Sequence, residues 1–284
     1  DQAEAIYRKV LAVDAKNFYA LRFLGCLWSL KGDYQSGILL LSQATTVLAT
    51  DSECWYNLGN AYKADSQFEE AIVAYRSAEE NGSLNPQNFN NWGRCLQELS
   101  KQEESIPVLE KAVGIDSDCF GAWFALGNSW RDLGHFTQAV FCYKKSIVVS
   151  PSFADAYLNL GILMKEEGEV EEAIVCYRKA IEVKPDLVAA LSQLAIELQK
   201  REEYEEAISL HKRALAEDSC CVNSICGLGG CFIGSGKIEE AIVYYSQQLQ
   251  TSSSNTDALF FLFEALRDRS QVNLNREFSY SRNF

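Results

Sequence analysis

The sequence predicts an all-α fold, a solenoid built from repeated pairs of helices. One pattern recurs every 34 residues along the chain without an insertion. Within each period, large apolar residues are spaced three, four and seven apart, which places them on one face of a helix. Small residues also recur at fixed columns, as closely crossed helices require. Because each unit of such an array contacts only its neighbours, the chain is not divided into globular domains.

The first helix of each repeat carries a small residue, usually glycine, at a fixed place. This glycine column consists of Gly25, Gly59, Gly93, Gly127, Gly161, Ala195 and Gly229. Around Gly127, for example, Trp123, Leu126 and Trp130 stand four residues before, one before and three after. These bulky residues share one helical face, and the glycine within it marks a point where another helix approaches closely.

The second helix of each repeat carries small, large and small residues in turn, such as Ala139, Tyr143 and Ser146. A turn column precedes this helix, and glycine there closes the first helix in a left-handed conformation. The glycines of this turn column are Gly32, Gly134, Gly168 and Gly236. Three non-glycine residues fill the same column, so their turns are expected to be strained or differently shaped: Ser66, Ser100 and Glu202.

The third repeat should be the least regular. Pro86 is expected in the first turn of its first helix, after the turn sequence Asn81-Gly82-Ser83 has ended the preceding helix early. Pro107 falls early in its second helix, where proline is tolerated or kinks the helix.

Together these columns resemble those of the tetratricopeptide repeat family, and the resemblance covers about residues 1–268. It implies a right-handed superhelix of antiparallel helix pairs, with the first helices lining the concave face. Residues 1–17 are then the second helix of a partial repeat, and 256–269 the first helix of a partial eighth repeat. Residues 270–284 form a polar tail whose aromatic residues are either poorly ordered or cover the open end. The seven complete repeats are 18–51, 52–85, 86–119, 120–153, 154–187, 188–221 and 222–255.

The chain begins and ends within a repeat, which indicates a fragment of a longer protein. Its open terminal repeats could stack on a second copy to give a homodimer. The net charge of −13 comes largely from acidic pairs that open second helices, such as Glu171-Glu172, where the helix dipole stabilises them. A basic footprint for nucleic acid is missing, and no apolar run is long enough to cross a membrane. Neither nucleic acid nor membrane is therefore expected as a partner.

The ten cysteines do not form a disulfide pattern, because several share columns with small buried residues. Cys220, Cys221, Cys226 and Cys231 cluster, but their spacing matches no zinc site. We therefore expect no metal and no cofactor. Reduced thiols favour a cytoplasmic location, with a nucleocytoplasmic one as the alternative.

Catalytic motifs are weak. The glycine-rich stretch 227–237 lacks the spacing of a phosphate-binding loop, because Cys231 and Ile238 stand where glycine and a hydroxyl residue are required. The only histidines, His135 and His211, cannot be assembled with a nucleophile and an acid. The chain is therefore not expected to be an enzyme.

Polar residues flank the glycine column on the side that the core does not use. Asparagines two residues before or one residue after the glycine, with one arginine, form an amide ladder, and basic residues follow four residues after the glycine. Two aromatic residues beside them could add apolar contacts. The candidate peptide-binding residues are Asn57, Asn60, Asn91, Arg94, Asn128, Asn159, Tyr56, Lys63, Phe124, Arg131 and Lys165.

Each asparagine offers a donor and an acceptor, enough to pair with the main chain of an extended peptide. The ladder resembles that of the repeat arm of O-linked N-acetylglucosamine transferases, in which groove asparagines hold the substrate backbone. Ala125, Gln193 and Gly227 interrupt it. A second mode of the family clamps the carboxylate of chaperone tails, but Tyr56, Phe124 and Leu158 occupy its lysine column.

The predicted function is a non-catalytic interaction scaffold that holds an extended peptide or a partner helix in its concave groove. The alternative is the substrate-recruiting arm of a glycosyltransferase-type enzyme, which a nucleotide-sugar-binding domain after Phe284 would favour. A plainer interpretation also stays open, in which asparagine is a common surface residue of these helices and binds no ligand.

Overall fold

The structure, a computed structural model, describes residues 2–251 and 266–267. The described residues form helices joined by short turns, with no strand among them. The prediction of an all-α helical repeat solenoid is confirmed.

The chain divides between Pro151 and Ser152 into two compact units. The helices of the first unit are α1 (Gln2–Val13), α2 (Phe18–Leu30), α3 (Tyr34–Val47), α4 (Ser52–Ala64), α5 (Phe68–Glu80), α6 (Pro86–Glu98), α7 (Gln102–Ile115), α8 (Phe120–Asp132) and α9 (Phe136–Val149). Those described in the second unit are α10 (Ala154–Glu166), α11 (Val170–Val183), α12 (Val188–Lys200), α13 (Tyr204–Glu217), α14 (Val222–Gly234) and α15 (Ile238–Thr251).

From α2 onwards, even-numbered helices are the first helices of repeats and odd-numbered helices the second. Each first helix packs against the second helix that follows it. In the first unit, consecutive first helices also contact one another, α2 with α4, α4 with α6 and α6 with α8. These four helices therefore present one continuous surface, which we call the first-helix face.

The glycine column is where the two helices of a repeat approach most closely. A Cβ atom at Gly127 would lie only 2.7 Å from a ring carbon of Tyr143, and one at Gly59 would lie 2.5 Å from Tyr75. Both tyrosines are fully buried. Glycine is needed at these positions because any side chain would occupy the space of the ring, as the column pattern predicts.

The glycine-rich stretch of the second unit is also explained by packing. A Cβ atom at Gly227 would lie 2.3 Å from Nε2 of His211, and one at Gly230 would lie 2.7 Å from Nε2 of Gln199. Since these glycines make room for neighbouring side chains, the stretch needs no ligand to account for it.

The turn column adopts the left-handed conformation throughout. Gly134 and Gly168 have φ of 78° and 87°, as predicted. Ser66, Ser100 and Glu202 have φ of 60°, 58° and 64°, so these turns keep the same shape and carry the strain. A side chain in this conformation costs roughly 1–2 kcal/mol.

The third repeat keeps the helix-pair plan. Pro86 occupies the first turn of α6, and the side chain of Asn85 caps that helix by accepting a hydrogen bond from the Gln87 N–H, 2.9 Å. Helix α5 ends at Glu80, before a turn in which Gly82 has φ of 87°. Pro107 lies within α7, which continues to Ile115.

The acidic pairs predicted at the starts of second helices are found there, in α5, α7, α11, α13 and α15. The buried cysteines behave as small apolar residues, because desolvation raises the pKa of Cys54 and Cys142 to about 12 and keeps them protonated. Across the described residues, no group of His, Cys, Asp or Glu has the size and placement to hold a metal ion. No helix described is both long enough and apolar enough to cross a bilayer.

The partial eighth repeat expected at 256–269 and the tail at 270–284 lie outside the described residues, apart from the helical Leu266 and Arg267. The dimer contact expected at that end of the chain therefore stays a prediction.

His211 is a buried titratable group in the core of the second unit. Its side chain is fully buried, and neither ring nitrogen has a hydrogen-bond partner within the described residues. Desolvation lowers the pKa of His211 from its ordinary value of 6.5 to about 4. In the unfolded chain this imidazole is therefore protonated below about pH 6.5, whereas in the folded chain it stays neutral down to about pH 4.

The strained turns lead to a first prediction. Glu202→Gly should raise the free energy of unfolding by about 0.5–1 kcal/mol, because glycine adopts positive φ without steric cost. Gly168→Ala, which introduces the same strain in a turn that now lacks it, should lower the free energy of unfolding. Urea denaturation of both variants would test this, and a destabilised Glu202→Gly would contradict it.

His211 leads to a second prediction. Between pH 7 and pH 5 this residue should cost the protein about 2 kcal/mol of unfolding free energy, since the unfolded state alone takes up the proton. His211→Leu should flatten the fall in stability over this range, whereas replacing the exposed His135 by Gln should not. Urea denaturation at several pH values measures the difference, and parallel profiles for wild type and His211→Leu would refute it.

Candidate functional site

The predicted site residues fall on first helices of both units. Those of the first unit lie on α4 (Tyr56, Asn57, Asn60, Lys63), α6 (Asn91, Arg94) and α8 (Phe124, Asn128, Arg131). Asn159 and Lys165 lie on α10 of the second unit.

The structure joins several of the first-unit residues in a hydrogen-bonded network across α4 and α6. Oδ1 of Asn60 accepts a hydrogen bond from Nδ2 of Asn91, 2.9 Å, and another from the hydroxyl of Tyr75, 2.8 Å. Nζ of Lys63 donates to Oδ1 of Asn91, 2.9 Å. We call these four residues the amide network. Its bonds fix the orientation of both asparagine side chains.

Two predicted residues beside the amide network remain open. Asn57 is half-buried and has no hydrogen-bond partner in the described part of the chain. Arg94 is exposed and forms no ion pair with a described residue. Burial lowers the pKa of Lys63, and the nearby charge of Arg94 lowers it further. This part of the first-helix face is therefore positively charged and has unused hydrogen-bonding groups.

The same arrangement of tyrosine and asparagine recurs in the fourth repeat. The hydroxyl of Tyr143 donates to Oδ1 of Asn128, 2.8 Å. The ring of Phe124 packs 5.8 Å from that of Tyr143, as Tyr56 packs 6.2 Å from Tyr75. Both aromatic residues predicted as apolar contacts thus also cover a buried tyrosine.

The charge predicted from Arg131 is offset within the protein. Its guanidinium donates two hydrogen bonds to Oδ1 of Asp132, 2.8 and 3.1 Å. In the second unit, Nζ of Lys165 donates to Oε1 of Gln193, 2.9 Å, which repeats the pairing of Lys63 with Asn91. Asn159 is half-buried. The open positive charge of the first unit therefore centres on α4 and α6.

The role of the tyrosines in the site is not predicted from the sequence, which places them in the core. A signal exists: Tyr75 and Tyr143 stand in repeats that have asparagine directly after the column glycine. Tyr177 stands in a repeat with Ile162 at that place, and its buried hydroxyl has no partner within the described residues.

Family models match much of the repeat array. Models described as tetratricopeptide repeat match residues 52–80, 86–119, 154–187 and 190–219. A further model, described as TPR repeat, matches residues 127–168.

Solved structures of repeat proteins share the fold. YrrB, described as a TPR protein with an unusual peptide-binding site, is 22% identical with a TM-score of 0.56, over 65% of this chain and 95% of that one. PilF of Pseudomonas aeruginosa is 16% identical with a TM-score of 0.66, over 75% and 97%. A chain of the APC/C hetero-tetramer Cut9–Hcn1 is 16% identical with a TM-score of 0.64, and the match covers 93% of this chain and 52% of that one. At these identities the likeness concerns the fold alone.

The tyrosine hydroxyls lead to a third prediction. Tyr75→Phe and Tyr143→Phe should each lower the free energy of unfolding by about 1 kcal/mol, because each removes the hydrogen bond that a buried hydroxyl donates to an asparagine oxygen. Tyr177→Phe should be neutral or stabilising, since its hydroxyl is already unpaired. Urea denaturation measures the free energy of unfolding of the three variants. Equal decreases in all three would show that the hydrogen bond to asparagine does not stabilise the protein.

Proposed function

Since this chain belongs to the tetratricopeptide repeat family, whose repeats serve as protein-interaction scaffolds, we propose that its first-helix face binds an extended peptide. The observation that carries the proposal is the amide network, with Asn57 and Arg94 left open beside it. Such a surface can pair with peptide groups of any sequence through their main chain.

The spacing of the first helices suits an extended ligand. Neighbouring helices lie about 10 Å apart, and an extended chain advances about 3.3 Å per residue. About three peptide residues then pass each repeat, so that one main-chain amide in each repeat can meet the same kind of side chain. A bound helix would offer far fewer main-chain groups to these side chains, because its N–H and C=O groups are already hydrogen-bonded to one another.

The amide network lowers the entropic cost of binding a peptide. Asn60 and Asn91 are held by bonds to each other, to Tyr75 and to Lys63, so they lose little side-chain freedom when a ligand arrives. Nδ2 of Asn60 makes no hydrogen bond within the described residues and can donate to a peptide carbonyl. Asn57, which has no hydrogen-bond partner among the described residues, offers both a donor and an acceptor.

The proposed activity is binding without chemistry. The side chains around the network are amides, an ammonium, a guanidinium and aromatic rings, and none forms a pair of nucleophile and base. YrrB, which has the same fold and is described as having a peptide-binding site, supports this role. Lys165 and Gln193 repeat the pairing in the second unit, which we propose binds in the same manner.

The resemblance of the ladder to the repeat arm of O-linked N-acetylglucosamine transferases gives a second form of the proposal. In that form the bound peptide is passed to a catalytic domain encoded beyond these residues. Sequencing the full transcript distinguishes the two forms, because only the second requires a nucleotide-sugar-binding domain after Phe284.

The fourth prediction tests the binding face. Peptides would be selected on the protein from a phage-displayed library of random 12-residue sequences, and their affinity measured by fluorescence anisotropy. Asn57→Ala should weaken binding about three- to tenfold, the effect of losing one hydrogen bond or two. The free energy of unfolding of this variant should hardly change, because Asn57 makes no hydrogen bond with the described residues.

Gln43→Ala serves as the matched control, because Gln43 is an exposed amide on the second helix α3 of the same unit. It should leave binding unchanged. Equal affinities for the Asn57 and Gln43 variants, or no peptide selected above a scrambled control, would refute the proposal.

A further inference from the structure

We propose that the peptide held by the first-helix face presents one acidic group to Lys63 and Arg94. The inference rests on the proposed function and adds the chemical class of the ligand. It starts from an uneven pattern of charge neutralisation along the four first helices of the first unit.

Each of these helices carries a single basic residue: Arg22 on α2, Lys63 on α4, Arg94 on α6 and Arg131 on α8. The outer two are neutralised within the protein. Arg22 forms ion pairs with Asp51 and Glu53 at 3.3 and 3.0 Å, and Arg131 pairs with Asp132 at 2.8 Å. The inner two, Lys63 and Arg94, have no carboxylate partner within the described residues.

The inner pair lies on two first helices that contact each other, Lys63 on α4 and Arg94 on α6. Burial lowers the pKa of Lys63, and the charge of Arg94 lowers it further. Nζ of Lys63 is held by Asn91, from the helix that carries Arg94. The bond to Asn91 uses one of three ammonium donors, and Arg94 has five donors to offer.

Neither acidic residue of α4 or α6 pairs with these two cations. Glu98 lies one turn beyond Arg94 on α6 and is exposed, but forms no ion pair with it. Glu53, on α4, is paired with Arg22. Although the net charge is −13, two positive charges on neighbouring helices thus have no counter-ion among the described residues where the peptide is proposed to lie.

An oxyanion is the ligand group that would neutralise these two charges, because it accepts hydrogen bonds from both cations and offsets their mutual repulsion. A half-buried ammonium that has already lost part of its hydration gains more from such a partner than a fully solvated one. Three peptide groups share this chemistry: an Asp or Glu side chain, a C-terminal carboxylate and a phosphorylated side chain. The main-chain contacts proposed in successive repeats require the peptide to continue past this group, which excludes a C-terminal carboxylate. The net charge of −13 disfavours a doubly charged phosphate. We therefore assign the site to an Asp or Glu side chain.

The fifth prediction uses oriented peptide libraries as the probe. C-terminally amidated 12-residue peptides would be degenerate at every position except a central one, fixed as Glu, Gln or phosphoserine. A fourth library would carry Gln at the centre and a free C-terminus. Wild-type protein should retain the Glu library about fivefold better than the amidated Gln library, the effect of one partly exposed ion pair.

Arg94→Gln should lower that ratio to about twofold, because only Lys63 then remains to meet the Glu side chain. Arg94 is exposed, so its loss leaves the fold intact. Lys101→Gln, which removes the same charge from an exposed residue preceding the second helix α7, should keep the ratio at its wild-type value. Unchanged melting temperatures for both variants confirm that charge and not folding is being compared.

The outcomes separate the two proposals. Equal retention of the Glu and Gln libraries by wild type, or a Glu preference that Arg94→Gln leaves unchanged, would overturn the acidic-group proposal and leave peptide binding standing. Stronger retention of phosphoserine, or of the free C-terminus, than of Glu would overturn the assignment to an acidic side chain. If no library is retained above background, both proposals fall.

Discussion

The close approach of a first-helix glycine to a large side chain sixteen residues later determines the packing of a repeat and orients polar side chains on the face proposed to bind a peptide. At Gly59 and Gly127 no other residue leaves room for the rings of Tyr75 and Tyr143. The rings cross their first helices at these glycines, so their hydroxyls end beside the next residue, Asn60 or Asn128. The packing contact therefore orients an amide on the first-helix face, so the residues that stabilise the repeat also belong to the proposed site.

This sharing divides the candidate site into two kinds of side chain. Asn60, Asn91 and Lys63 are fixed by bonds within the protein, so replacing any of them would alter the surface and the repeat together. Asn57 and Arg94 have no such bonds to described residues, so replacing them should affect the proposed binding and leave the repeat intact. A face of this kind combines rigid polar groups, which lose little entropy on binding, with open groups that a ligand can use.

The fold could be predicted from the sequence because helical periodicity and the glycine column are local properties of the chain, repeated every 34 residues. The partners of polar side chains could not, because they depend on which groups meet between helices. Arg131, for example, turns to its neighbour Asp132, and Gly227 is explained only by the ring of His211. Trp123 stands in a core column yet is only half-buried, with its indole N–H donating to the carbonyl of Ser117 at 2.8 Å.

The distribution of charge in the protein also limits the net charge of a peptide that the proposed face can bind. In the second unit, acids at the starts of second helices are paired with bases of neighbouring repeats, Glu171 with Arg201 and Glu205 with Lys237. The remaining surplus of the chain, −13 in all, repels acidic molecules in general. This repulsion is screened beyond about 8 Å at physiological ionic strength, whereas contact with the half-buried Lys63 is screened much less. A peptide with one acidic residue in a neutral or basic context gains that contact with little of the repulsion, and a uniformly acidic peptide does not.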